Sequence, residues 1–272
     1  MPSPDVDGQQ RGYVIPIGGA EEKVNNPEIL SRFVALCGSA DADICIVPTA
    51  SQLEDTGERY QKLFTELGAG KTHFLPISER SDAQNEDYLA QLETCTGVFI
   101  TGGNQLRLST ILGGTPIATA IRRLNAKGVH IAGTSAGAAI VSQHMITGGN
   151  TGIVPTEDGV SLAPGMGLIN TIVVDQHFNE RNRLSRLLSA VSYNPFLIGI
   201  GLDEDTAAFI DENNEFTVVG SGAITIIDPS DIEYSSMAEA RTGDALTLLN
   251  LKVHILAAGS RYNISDRQGF TK

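Results

Sequence analysis

Short apolar runs alternate with longer amphipathic stretches through the first half of the chain, and this rhythm sets the expected architecture. Tyr13–Ile17 reads as a buried strand ending in Gly18-Gly19. Pro27–Cys37 has apolar residues at helical spacing, with proline at a tolerated N-terminal position. Ile44–Val47 predicts a second strand stopped by Pro48, Gly57–Leu67 a helix, Thr72–Leu75 a strand and Asn85–Thr94 a helix. Val98–Thr101 predicts a strand ending in Gly102-Gly103, Pro116–Ala126 a helix, and Val129–Ala132 another strand. Near-continuous apolar strands between helices predict a parallel, doubly wound α/β sheet. Beyond residue 200 the pattern changes. Ala207–Ile210, Glu215–Val219, Ala223–Ile227 and Leu246–Leu256 are strands joined by short polar turns, with a hairpin loop at 211–214. They are expected to extend the same sheet in antiparallel fashion. Residues 1–10 read as a flexible lead-in and 11–272 as a single domain, since no repeat or linker divides them.

Composition narrows the function classes. At 272 residues, 41% apolar and 19% charged, the chain can bury a sizeable core. A net charge of −13 argues against a nucleic-acid partner, whose phosphates need a basic footprint. Such spread acidity reads as a solubility device. The first residues have no basic, then apolar, leader pattern, and no apolar run approaches the roughly 20 residues of a membrane helix. Cys37, Cys45 and Cys95 are odd in number and widely spaced, so neither a disulfide framework nor a zinc site is indicated. A cytoplasmic protein without metal, cofactor or membrane partner is expected.

The clearest chemical signal is Gly133-Thr-Ser-Ala-Gly137, a G-x-S-x-G turn between the strand Val129–Ala132 and a stretch, Ala138–Gln143, that reads as a helix. Strand, sharp turn, helix is the context of a nucleophile elbow, against the alternative of a structural glycine-rich turn. The flanking glycines are expected to adopt the unusual dihedrals, and the helix dipole to favour an oxyanion at Ser135. A serine hydroxyl needs a base. Among five histidines, His73, His130 and His254 fall inside strands, and His144 closes the helix after Ser135. His177 instead follows the apolar run Thr171–Val174 at its carboxyl end, where sites gather in parallel sheets. The partner acid should come from Asp203-Glu-Asp205, after the run Phe196–Leu202, and spacing alone leaves the three open. The order serine, histidine, acid differs from that of the α/β-hydrolases. Oxyanion donors are expected from the Ala136 N–H and from Gly103 and its neighbours. Arg181, Arg183 and Arg186 follow the base and suit carboxylates of a substrate, or else form a solvated helix face.

Five stretches carry a resemblance: Gly18-Gly-Ala-Glu-Glu-Lys23, Thr101-Gly-Gly-Asn-Gln-Leu-Arg107, Gly133-Thr-Ser-Ala-Gly-Ala-Ala139, Val174-Asp-Gln-His-Phe178 and Gly201-Leu-Asp-Glu-Asp-Thr206. With them the chain resembles the cyanophycinases of the serine peptidase family that also contains aspartyl dipeptidase. The resemblance implies a dimeric, flavodoxin-like fold and a triad of Ser135, His177 and Glu204. It also implies exopeptidase release of β-Asp-Arg from cyanophycin, a poly-aspartate bearing arginine on each β-carboxylate. Gln105, Asp175, Gln176, Arg181, Arg183 and Arg186 are then implied as substrate contacts, with Asp175 suited to a guanidinium and the arginines to carboxylates. Asn104 departs from the acidic residue that could equally be expected there. The alternative within the family is an aspartyl dipeptidase-like enzyme for short Asp-X peptides.

Overall fold

In the computed structural model, which describes residues 1–271, the first half runs β1 (Val14–Ile17), α1 (Glu28–Leu36), β2 (Asp43–Val47), α2 (Thr56–Glu66), β3 (Lys71–Phe74), α3 (Glu86–Glu93), β4 (Gly97–Ile100), α4 (Gln105–Leu112), α5 (Pro116–Ala126), β5 (His130–Thr134) and α6 (Ala136–Ala139). Predicted helix ends fall at residues built to stop them. Asn85 and Thr115 cap α3 and α5 through side-chain oxygens that accept N–H bonds two or three residues on. Helices α1, α2 and α5 each lay an apolar stripe on the sheet. In α1 the stripe is Ile29, Leu30, Phe33 and Val34, each stabilising by about 1.5–3 kcal/mol when fully buried.

The second half runs β6 (His144–Gly149), β7 (Val160–Pro164), β8 (Ile172–Gln176), α7 (Leu184–Tyr193), β9 (Ile198–Leu202), β10 (Thr206–Ile210), β11 (Glu215–Gly220), β12 (Ala223–Asp228), β13 (Tyr234–Ser235), β14 (Leu248–Leu249), β15 (Lys252–Ala257), β16 (Arg261–Asn263) and β17 (Gln268–Phe270). Nine strands form the main sheet in the order β17-β16-β11-β10-β1-β5-β4-β2-β3. Its β1-β5-β4-β2-β3 part is parallel, and β10, β11, β16 and β17 continue it antiparallel. The expected doubly wound sheet with an antiparallel extension is therefore present.

Two expectations need correction. First, β12 and β15 do not extend the main sheet. They join β9 and β8 in a separate four-stranded sheet, ordered β15-β12-β9-β8. The switch occurs at Gly220, where φ is 115° and a Cβ would meet the Asp205 carbonyl oxygen at 2.0 Å. A tight hairpin is replaced there by a crossing between layers. Second, Ala138–Gln143 is not a helix: α6 is a single turn ending at Ala139, and His144 opens β6. Ser142 bridges to Ile169 instead, and its hydroxyl donates back to the Ala139 carbonyl, drawing the chain out of the helical path.

Those two layers place the site. Carboxyl ends of β1, β4 and β5 deliver the turns at 18–19, 102–103 and 135. From the second sheet, β8 ends just before His177, and the chain leaving β9 crosses through 203–205 into β10. No helix among the described residues is long and apolar enough to cross a membrane.

Candidate active site

Ser135 itself takes the unusual backbone, with φ 53° and ψ −110°. Such a non-glycine conformation costs about 1–3 kcal/mol and persists only where its surroundings hold it. Here the Ser135 N–H donates to the Ile17 carbonyl at 2.9 Å, tying the turn to β1. Gly133 and Gly137 have ordinary φ values; they are required by close approach. A Cβ on Gly133 would lie 2.1 Å from the Gly137 oxygen, and one on Gly137 2.2 Å from the Ile100 oxygen. With α6 only one turn long, the site gains free N–H groups more than a helix dipole.

The Ser135 hydroxyl lies 2.8 Å from His177 Nε2, and His177 Nδ1 lies 2.6 Å from Glu204 Oε1. The three candidate acids separate by geometry. Asp203 accepts the N–H groups of Asn179 and Ala223, and Asp205 accepts the Glu22 N–H and the Ser221 hydroxyl. Both are engaged in holding loops. Glu204 alone of the three meets the imidazole. His177 too has a left-handed φ, 48°, pinned by its N–H to the Gly18 carbonyl at 2.9 Å. Gly19 lies against the ring so closely that a Cβ there would sit 2.3 Å from Cε1.

Burial lowers the His177 pKa, and the charges of Arg181 and Arg183 push the same way, against the raising effect of Glu204. The neutral imidazole, the form that can accept a proton, is thereby favoured. The acid–base–hydroxyl chain can thus move the serine proton to Nε2 while Glu204 holds Nδ1–H. Beside it, the N–H groups of Ala136, Gly102 and Gly103 have no protein acceptor among the described residues. Gly102 lies against Ser135, whereas Gly103, with φ 146°, packs on the Ala50 carbonyl.

The expected substrate contacts divide. Arg181 is exposed close to His177, and Gln105 opens α4 at a depression beside Gly102 and Gly103. Asp175, Gln176, Arg183 and Arg186 are buried behind the base and none lines the cleft. Arg186 grips both oxygens of the fully buried Asp175 carboxylate, with Nε to Oδ2 at 2.6 Å. Arg183 Nη1 donates to the Gln176 backbone and side-chain oxygens, and stands 3.4 Å from Asp175. Burial lowers the Arg183 pKa to about 10, so its charge persists. In this arrangement the four bind one another, so the direct contact expected between Asp175 and a substrate guanidinium has no geometric basis.

Sequence reasoning overlooked the cleft's floor. Ser135 and His177 open on a cleft of about 580 Å³ walled by Lys23, Arg59, Tyr60 and Glu66, with Glu21 beneath. The buried Glu21 carboxylate accepts bonds from the Thr134 hydroxyl at 2.5 Å and the Tyr60 hydroxyl at 2.7 Å, and pairs with Lys23 at 2.9 Å. These residues lie in irregular chain after β1 and on α2; Glu21 and Lys23 fall in a stretch that carries the resemblance, but the apolar pattern does not distinguish any of them from surface positions.

A model of peptidase family S51 matches residues 14–218. Among curated proteins, a cyanophycinase of Geminocystis herdmanii is 44% identical over 95% of this chain and 96% of its own length. A cyanophycinase of Trichormus variabilis is 43% identical over 93% and 86%. Among solved structures, a peptidase from an acI-B1 Actinobacterium superposes with a TM-score of 0.65 at 23% identity, covering 91% of this chain and 98% of that one. At that identity the likeness speaks for the fold.

Proposed function

The chain belongs to peptidase family S51 and is a serine-type peptidase, and from that premise we propose that it hydrolyses cyanophycin from a chain end to β-Asp-Arg dipeptides. The observation that carries the chemistry is the relay from Ser135 through His177 to Glu204, at 2.8 and 2.6 Å. The substrate rests on relatives named cyanophycinase that align over nearly the whole chain.

His177 Nε2 takes the Ser135 proton as the oxygen attacks the scissile aspartyl carbonyl. The oxyanion forms against the N–H groups of Ala136 and the Gly102-Gly103 turn, which need no reorganisation to receive it. Imidazolium, stabilised by Glu204, then gives its proton to the leaving amine. Water attacks the acyl-serine with His177 again as base, restoring the hydroxyl.

Arg181 and Gln105 are the members of the expected set positioned to meet substrate, Arg181 for a carboxylate. Asp175, Gln176, Arg183 and Arg186 act by holding His177 in place. Glu66, exposed on the α2 wall, suits a substrate guanidinium. The cleft shares Ser51, Leu53 and Gly102 with the depression beyond it, which favours a polymer end over the closed pocket a dipeptidase needs. A homodimer in a reducing compartment completes the reading. Val253 and Ile255 stand 56% and 73% exposed on β15, the outer strand of the second sheet, and all three thiols are free. Mass analysis of products released from insoluble cyanophycin tests the proposal. β-Asp-Arg as main product is expected; cleavage of short Asp-X peptides without attack on the polymer would overturn it.

A further inference from the structure

Far along the main sheet from Ser135, at its β3 edge, lies a second cluster of reactive side chains that the peptidase chemistry does not use. Cys45 on β2 and His73 on β3 stand directly opposite in the parallel register, so their side chains share a face. Cys95, just before β4 on the other side of β2, completes the group. The two sulfurs and an imidazole nitrogen all lie within 4.8 Å of one another. His73 Nε2 is 3.5 Å from Cys95 Sγ, while its Nδ1 is 3.3 Å from Asp43 Oδ1. That Asp43 oxygen is buried and not aligned for a hydrogen bond, which leaves a desolvated acceptor beside the ring. Satisfying it requires the Nδ1–H tautomer, and that tautomer aims the Nε2 lone pair at the thiols.

We propose that Cys45, His73 and Cys95 bind a thiophilic divalent cation, zinc, with Asp43 as the positioning residue that orients the imidazole. Two sulfurs and one nitrogen are a zinc donor set, and a carboxylate behind a ligating histidine is its usual support. Zinc–sulfur bonds of about 2.3 Å and zinc–nitrogen bonds of about 2.0 Å require the donors to close in by about 1 Å at most. Each thiol gives its proton to solvent on binding, and Cys95 releases its 3.2 Å bond to the Gln91 carbonyl. Cys45 is fully buried, so the ion enters beside the partly exposed His73 and keeps solvent at its fourth position. The bound ion ties the edge strand β3 to β2 and to the start of β4.

Titration of the reduced, metal-free full chain with Co²⁺ tests this. One equivalent should produce a thiolate-to-cobalt charge-transfer band and tetrahedral visible absorption, both abolished by one equivalent of Zn²⁺. Cys95→Ser and His73→Gln should lose the band, while Cys37→Ser and Ser135→Ala keep it. No band in the reduced chain, or a band that survives Cys95→Ser, would overturn the site. Should the variants fail to fold, alkylation of the wild-type chain decides: zinc must protect Cys95, and equal labelling with and without it rejects the proposal.

Discussion

The two layers that meet at the site hold their functional groups by different means. The parallel layer positions Ser135 almost wholly through backbone: glycines packed on carbonyls, one N–H to Ile17, and free N–H groups beside the hydroxyl. The second layer sets His177 in front of buried charge, with its N–H held by the Gly18 carbonyl of the parallel layer. Behind the base, Asp175 is fully buried between Arg186 and Arg183, and the chain leaving β9 carries Glu204 back to the ring. Backbone packing suits the proposed nucleophile, a small group that must not move. A buried ion cluster lies behind the proposed base, whose charge would change during turnover and whose electrostatic surroundings therefore matter.

The largest test removes the nucleophile. Ser135→Ala should lower kcat on cyanophycin by about a million-fold, as loss of a serine nucleophile does elsewhere, with an unchanged unfolding curve. Residual activity near wild type would assign the chemistry to another group. Glu204→Gln should reduce kcat by about ten-thousand-fold, since an amide holds the wrong tautomer. A loss no larger than that of Asp203→Asn would remove Glu204 from the relay.

What was legible in the sequence follows the same division. The helices and strands of the parallel layer, and Ser135 with its strand–turn context, are local signals: apolar period, capping residues and glycine spacing. His177 was legible because it follows an apolar run. The choice of Glu204 among 203–205 was legible only through the family resemblance and not from spacing, because it depends on which side chains the crossing at Gly220 engages elsewhere. For the same reason β12 and β15, ordinary alternating strands, were assigned to the wrong sheet. The arginines were visible as a cluster, but the burial of Arg183 and Arg186 against Asp175 is a tertiary fact. Cys45, His73 and Cys95 are separated by 28 and 22 positions, and only parallel register brings them together.

The charge-held layer is tested by Asp175→Asn. Loss of the anion leaves two buried guanidinium groups uncompensated, a change that costs about 3–5 kcal/mol. A lower urea midpoint at constant m should report it, whereas unchanged stability would mean that the arginines reach solvent. The backbone-held layer is tested more gently by Gly19→Ala. Its methyl would lie 2.3 Å from the His177 ring; the ring must move, and a displacement near 1 Å costs about a hundred-fold in rate. At φ 101° an alanine is itself strained by about 1–3 kcal/mol, so stability should fall as well, though by less than on loss of Asp175.

The smallest effect isolates electrostatics from placement. Burial, Arg181 and Arg183 lower the His177 pKa, while Glu204 raises it. With His177 as the proposed base, activity needs the neutral ring, so kcat/KM should rise with pH to a plateau, its limb lying below the ordinary imidazole value of about 6.5. Arg181 is exposed, so its field is screened by salt. Arg181→Gln removes one lowering charge, and the limb should therefore move to higher pH, leaving the variant less active at acidic pH relative to its own plateau. High salt should move the wild-type limb in the same direction and the variant's less. If Arg181 also binds a substrate carboxylate, the plateau of kcat/KM falls while kcat holds, a change separable from the limb's position. A limb that stays in place in both experiments would leave burial as the dominant influence on the base, and would assign Arg181 to substrate binding alone.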